Sequence, residues 1–114
     1  MSESLGDKQR RFTRMVAELI HWAYANGYEL TLGDAFRDPR VHGIAGDKKA
    51  GSYSAAYSNH KLRLAVDLNL FKDGQWLTTD QAHAPLHDFW ESIGGGARIA
   101  GDSNHYSLLH ENRR

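Results

Sequence analysis

SNHKLRLAVDLNLF, residues 58–71, is the stretch on which the fold turns. Leu64, Val66, Leu68 and Leu70 recur at every second position, and a period of two is a strand with one apolar face. Ala65, Asp67 and Asn69 take the other face. A carboxylate in the segment best suited to be a core strand is unusual, and His60 upstream sharpens the question. In an unbroken strand an odd offset places two side chains on opposite faces. His60 and Asp67 therefore share a site only if Lys61-Leu62-Arg63 bend the chain. The pattern predicts a strand over 64–71 with a bend before it.

Downstream, Lys72-Asp73-Gly74-Gln75 is a tight turn leading into Trp76-Leu77, so a β-hairpin is expected. TTDQAHAPLHDFWESIGG then reads as a helix, capped by Thr78 or Thr79, with Leu86, Phe89, Trp90 and Ile93 as its apolar stripe. Gly94, Gly95 and Gly96 end it, and residues 102–108 form a last strand. Upstream, Phe12, Met15, Val16, Leu19, Ile20 and Ala23 predict an amphipathic helix over 7–26 with Gly27 at its C-terminal cap. Tyr28, Leu30 and Leu32 alternate with Glu29 and Thr31, which predicts a half-buried strand interrupted at Gly33. Residues 38–59 have no sustained period. A stretch that long in so short a chain reads as a binding loop or lid, with room for a short helix. The sum is one domain over residues 1–114, α+β, with a small antiparallel sheet.

Composition narrows the chemistry. Lys plus Arg and Asp plus Glu both number 14, and this balance argues against a dedicated nucleic-acid binder, which carries a basic excess. Lys8, Arg10, Arg11 and Arg14 read as a solvated helix face. The absence of cysteine removes disulfides, thiolate zinc sites and a cysteine nucleophile together. A transition-metal site must then come from the seven histidines and the carboxylates. No apolar leader and no run of about 20 apolar residues is visible, so the expectation is cytoplasmic synthesis without a signal peptide and no membrane insertion.

A metal set can be assembled from what is there. His105 lies in GDSNHYSL beside a glycine-rich loop, with Asp102 three positions before it. His60, Asp67 and His105 make a proper ligand set for one catalytic zinc, with the fourth position left to water. Asp102 is the carboxylate best placed to be the base. An exposed strand carboxylate is the plainer reading of Asp67 taken alone.

The spacing S-x-H-x-x-x-x-A-x-D, read as Ser58, His60, Ala65 and Asp67, resembles the metal motif of the M15 family of zinc peptidases. That family includes D-Ala-D-Ala carboxypeptidases and dipeptidases, and phage endolysins that cut between L-alanine and D-glutamate. D-x-x-H, Asp102 and His105, resembles the endolysin branch; the other branches usually carry Glu-x-x-His. Arg37, in AFRDP, matches the family arginine that steadies the carbonyl oxygen during attack, although pairing with Asp34 or Asp38 is an ordinary alternative. Arg63 departs from the pattern, because many members have glycine there.

The resemblance implies a hedgehog/DD-peptidase-like zinc fold with helices on one side of the sheet. It also implies a monomeric peptidoglycan hydrolase that cleaves a stem peptide at L-alanyl-D-glutamate. Such an endolysin is made in the host cytoplasm and reaches the cell wall once the membrane is opened. The alternatives are a D-Ala-D-Ala carboxypeptidase and a non-catalytic, zinc-stabilised wall-binding module. Ser58 and Tyr106 are candidates for substrate binding, with core packing an equal alternative for Tyr106.

The remaining features receive plainer readings. His83 and His87 are four apart in HAPLH, but Ala84 stands where a zinc helix needs its glutamate, and Pro85 follows. They are expected at the surface or half-buried. His42 is read as a loop residue, and His21 and His110 as structural or exposed. Trp22, Trp76 and Trp90 are expected in the core. Asn69 is a hydrogen-bonding neighbour for the ligands. Asp47 with nearby carbonyls is a candidate second ion site in the long loop.

Overall fold

The computed structural model describes residues 3–35 and 59–111. Arg37, Asp38, His42, Asp47, Ser58 and nearly all of the long loop lie outside the described residues. Strand β2 (Ala65–Lys72) is the centre of the sheet, one residue along from where the alternation placed it. Strand β1 (Glu29–Leu32) runs antiparallel along its second half, Leu32 opposite Leu68 and Glu29 opposite Phe71. Beyond β1 the pairing persists, because Gly33 N–H donates to Asp67 O at 2.8 Å and Asp67 N–H to Asp34 O at 2.7 Å. A Cβ at Gly33 would sit 3.1 Å from both Cβ and O of Asp67, so glycine permits that approach.

The other flank of β2 carries two short strands end to end. Strand β3 (Gln75–Leu77) returns through the expected hairpin. Asp73 at φ 52° and Gly74 at φ 78° are both left-handed, as the turn whose twist suits a two-residue hairpin requires. Strand β4 (His105–Ser107) is antiparallel to the first half of β2, with Val66 opposite Tyr106 and Asp67 opposite His105.

Helix α1 (Leu5–Ala25) begins two residues before its expected start, because Ser4 is the cap and its Oγ accepts the Asp7 N–H at 3.0 Å. Helix α2 (Asp80–Ser92) starts from Thr79 rather than Thr78, with Ala82 N–H on Thr79 Oγ1 at 3.1 Å. Pro85 lies within α2 without ending it. Both helices pack on the face of Val66, Leu68 and Leu70. Phe12, Met15, Leu19 and Ala23 come from α1, Leu86 and Trp90 from α2, and Tyr106 and Leu108 from the last strand and its exit. The result is a small α+β fold, an antiparallel sheet with helices against it. Arg10 pairs with Asp7 and Arg11 with Glu3 on the surface of α1, as a solvated basic face does.

Two apolar expectations fail. Leu32 shares the face of Leu68 but lies at the end of the outermost strand, and it is 72% exposed. Trp76 is 65% exposed rather than in the core. Its partner across the hairpin is Phe71, which shares the face of Asp67 and Asn69, so the register turns the indole away from the helices. Trp22 is half-buried, stacked on Phe89 with ring centres 5.2 Å apart, and Trp90 is fully buried as expected.

The end of α2 is set by close packing. Gly95 N–H donates to Trp90 O at 2.8 Å, and a Cβ at position 95 would overlap the buried Trp90 indole, whose Nε1–H is fixed on Ser107 O at 2.8 Å. Gly95→Ala is expected to destabilise the fold by about 1–3 kcal/mol through overpacking. A urea denaturation midpoint indistinguishable from that of the parent chain would show that the indole moves aside freely.

Candidate metal centre

The bend that the sequence demanded is a turn of 3-10 helix, Asn59–Leu62, followed by Arg63 at φ 57°. Leu64 N–H closes it on Asn59 O at 3.0 Å. Arg63 therefore occupies a left-handed conformation that glycine adopts more cheaply. Two long-range bonds fix the turn. Asn59 Nδ2 donates to Leu108 O at 2.7 Å, and Gln9 Nε2 of α1 to Leu62 O at 2.8 Å.

The turn carries His60 back over the Asp67 face of the sheet. His60 Nδ1 lies 2.8 Å from Ala35 O. A carbonyl only accepts, so this nitrogen carries a proton, and Nε2 is the ring nitrogen that faces the cluster. Nε2 lies 3.2 Å from Asp67 Oδ1. His105 arrives from β4, directly opposite Asp67, with Nδ1 3.5 Å from the same oxygen. The two imidazoles meet edge-on, centroids 5.1 Å apart. Both are buried, and Asp67 is nearly so.

Ligand atoms from the three residues all lie within 4.8 Å of one another. Two donors on a tetrahedral zinc with arms of about 2.0–2.1 Å are ~3.3 Å apart, and the Asp67 oxygen meets both imidazole nitrogens at close to that separation. Burial opposes ionisation of Asp67, but the hydrogen bonds and charges of His105 and His60 outweigh it and hold the carboxyl well below the usual range. The residues fit a divalent ion such as zinc, bound through two nitrogens and one oxygen.

Asp102 stands beside this set. Its side chain is 52% exposed, and Oδ2 lies 3.9 Å from His105 Nδ1. The short loop before His105 is tied internally, Asp102 N–H to Ile99 O at 3.1 Å and His105 N–H to Asp102 O at 3.1 Å. Asn69, on the face of Asp67, accepts from Asn104 Nδ2 at 3.4 Å.

Tyr106, a candidate for substrate contact, is fully buried. It neighbours His105 on a strand and so points to the other face, into the core, where its hydroxyl meets His83 Nδ1 at 2.8 Å. His83 and His87 are also buried, deeper than the surface or half-buried positions expected of them. The helical period held the signal, since residues 83, 86, 87 and 90 lie on one stripe. Judging HAPLH only as a failed zinc motif hid it. His87 stacks on Tyr106 at 4.2 Å and donates Nε2–H to Ser103 O at 2.7 Å. It thereby braces the loop that bears both Asp102 and His105. His21 is exposed, and His110 is half-buried with Nδ1 3.3 Å from Lys8 Nζ.

A scan of family models and a search of curated proteins find no match to this chain.

Two outcomes are expected of this centre. Zinc added to the metal-free chain raises its melting temperature and binds one ion per chain by calorimetry. His60→Ala or His105→Ala weakens binding by more than ~100-fold, beyond the 10–100-fold typical of groups that only support a ligand. Equal affinity in either variant would remove that residue from the set.

The second concerns acid. Burial first, and the neighbouring His87 next, push His83 down from 6.5 to about 4, and burial lowers His87 as well. Between those limits the unfolded chain takes up protons that the folded chain refuses, so stability falls as pH drops through that window. His83→Gln is expected to flatten the dependence of the urea midpoint between pH 6.5 and 4 relative to the parent. An unchanged slope would place the acid sensitivity elsewhere.

Proposed function

We propose that this chain is a zinc-dependent peptidoglycan peptidase of the endolysin type, hydrolysing the L-alanyl-D-glutamate bond of the stem peptide. The observation that carries the reading is the His60–Asp67–His105 cluster with an exposed carboxylate, Asp102, 3.9 Å from one of its imidazoles. A site built only to stabilise a fold is closed by its ligands, whereas a hydrolytic site keeps a position and a base accessible. The likeness of S-x-H-x-x-x-x-A-x-D and D-x-x-H to the M15 motifs supplies the substrate class.

His60 Nε2, Asp67 Oδ1 and His105 Nδ1 would hold the ion. When bound, zinc supplies Lewis acidity, lowering the pKa of water toward about 7 and polarising a carbonyl. The chain's own part is positioning and proton transfer. Ala35 O fixes the His60 ring so that Nε2 faces the cluster, and the β2–β4 register fixes His105. Asp102 takes a proton on its carboxylate and returns it to the departing amine nitrogen. Arg37 would stabilise the negative charge on the carbonyl oxygen. It lies only two positions along the chain from Ala35, whose carbonyl bonds the His60 ring. Ser58, immediately before Asn59, would contact substrate. Among the described residues no helix is long and apolar enough to cross a membrane.

Digestion of purified peptidoglycan followed by mass spectrometry is expected to reveal new glutamate amino termini. Release of D-alanine alone would assign a carboxypeptidase instead. Asp102→Ala is expected to keep its zinc and lose at least ~10²-fold in kcat, the scale of a general base. Undiminished lysis by that variant would leave the reaction without its proposed base.

A further inference from the structure

Next to the metal centre the sheet is split. On one flank of β2, β4 pairs with Ala65–Asp67 and β3 with Leu70–Lys72, so neither strand pairs with Asn69. A cavity of about 250 Å³ opens at that break, lined by Asn69, Trp76, Thr78, Asp102 and Asn104 with the buried His83 at its floor. Its Asn69 wall lies on the face of the cluster, and its His83 floor on the side of the helices. Asn69 and Asp67 are two residues apart on one strand, ~6.7 Å along it, and their side chains point the same way. Asp102 joins the two sites, because it lines the cavity and also lies 3.9 Å from His105.

We infer that this cavity seats the residue on the leaving side of the scissile amide, and that it selects a residue whose carboxyl group is amidated over one with a free carboxylate. The inference rests on the hydrolytic reading above. A base that returns its proton to the departing nitrogen must lie on that nitrogen's side, and one residue of extended peptide spans ~3.3–3.6 Å, so the next group enters the cavity beyond Asp102. What awaits it is two side-chain carboxamides and an aromatic plane. The Asn69–Asn104 bond, at 3.4 Å, is long and readily exchanged for bonds to a ligand amide. Trp76 presents an indole 65% exposed at the rim, suited to cover a planar amide. Among the described residues that line the cavity, the charged side chain is Asp102, which forms one wall. Its carboxylate repels a second carboxylate and leaves a carboxamide unaffected. In stem-peptide terms the favoured leaving residue is D-isoglutamine rather than D-glutamate.

The test uses the zinc-loaded full chain and two leaving-side product peptides that differ only in that amide. By NMR titration, the amidated peptide is expected to bind at least 10-fold more tightly and to shift the Trp76 indole N–H, assigned with Trp76→Phe. Asn69→Ala, checked for unchanged zinc content, is expected to bring the two affinities within about 3-fold of each other. These outcomes support the cavity even if the parent chain hydrolyses nothing, in which case the hydrolytic reading alone falls. Equal affinities, no binding of either peptide, or a perturbation that bypasses Trp76 and Asn69 overturns the inference, including in a chain that cleaves peptidoglycan well.

Discussion

Asp67 opposite His105 across β2 and β4 is the pairing on which the molecule depends. The same register that brings these two together places Val66 opposite Tyr106 one step away, on the other face. A slip of one residue would send Tyr106 toward solvent and His105 into the core. Burial of a side chain such as Val66, Leu68 or Leu108 stabilises the fold by roughly 1.5–3 kcal/mol each. That apolar free energy holds the register, and the register holds two of the three residues that could ligate an ion. The opposing cost is local: a half-buried carboxylate faces two imidazoles, and the core on the opposite face keeps them in place.

The third ligand needs a different device. His60 has the wrong parity for a continuous strand and reaches the cluster only through the 3-10 turn and the left-handed Arg63. The turn is bonded to α1 through Gln9 and to the exit of β4 through Asn59. Its ring is bonded to Ala35, beyond β1. The ligand that the strand pattern fixes least is thus tied to three separate parts of the fold, which preorganises it before any ion arrives.

Much of this was legible in the residues. The alternation of Leu64 to Leu70 located the central strand, and Lys72-Asp73-Gly74-Gln75 located the hairpin. The parity of His60 against Asp67 demanded the bend that exists. What escaped has a common cause. Periodicity tells which side chains share a face, but not which face the helices cover. Residue type places Trp76 in the core, yet the register with Phe71 turns it outward; for Tyr106 the register with Val66 selects core packing, one of its two readings. His83 and His87 escaped for the opposite reason, since polar type was allowed to override a helical stripe that they complete. Their burial is tolerated because each finds a partner, the Tyr106 hydroxyl for one and the Ser103 carbonyl for the other. Arg37 and Ser58 lie outside the described residues, and their roles rest on the motif.

The open side of the site follows from how the second flank of β2 is built. β3 and β4 run in the same direction and lie on one line: Leu77 is opposite Leu70, and the line resumes with His105 opposite Asp67. They are in effect one strand interrupted by residues 78–104. The interruption is stitched where it leaves and returns, Ser103 Oγ donating to Thr78 O at 2.9 Å and Leu68 N–H to Asn104 O at 2.9 Å. An unbroken strand would have filled the space beside Asn69 with its own backbone. Interrupting it opens that space, and the inserted segment supplies Asp102 at its rim and His87 as the brace beneath. One break in one strand therefore produces the candidate base, its support and the adjoining cavity, while the residues on either side of the break stay in register with β2.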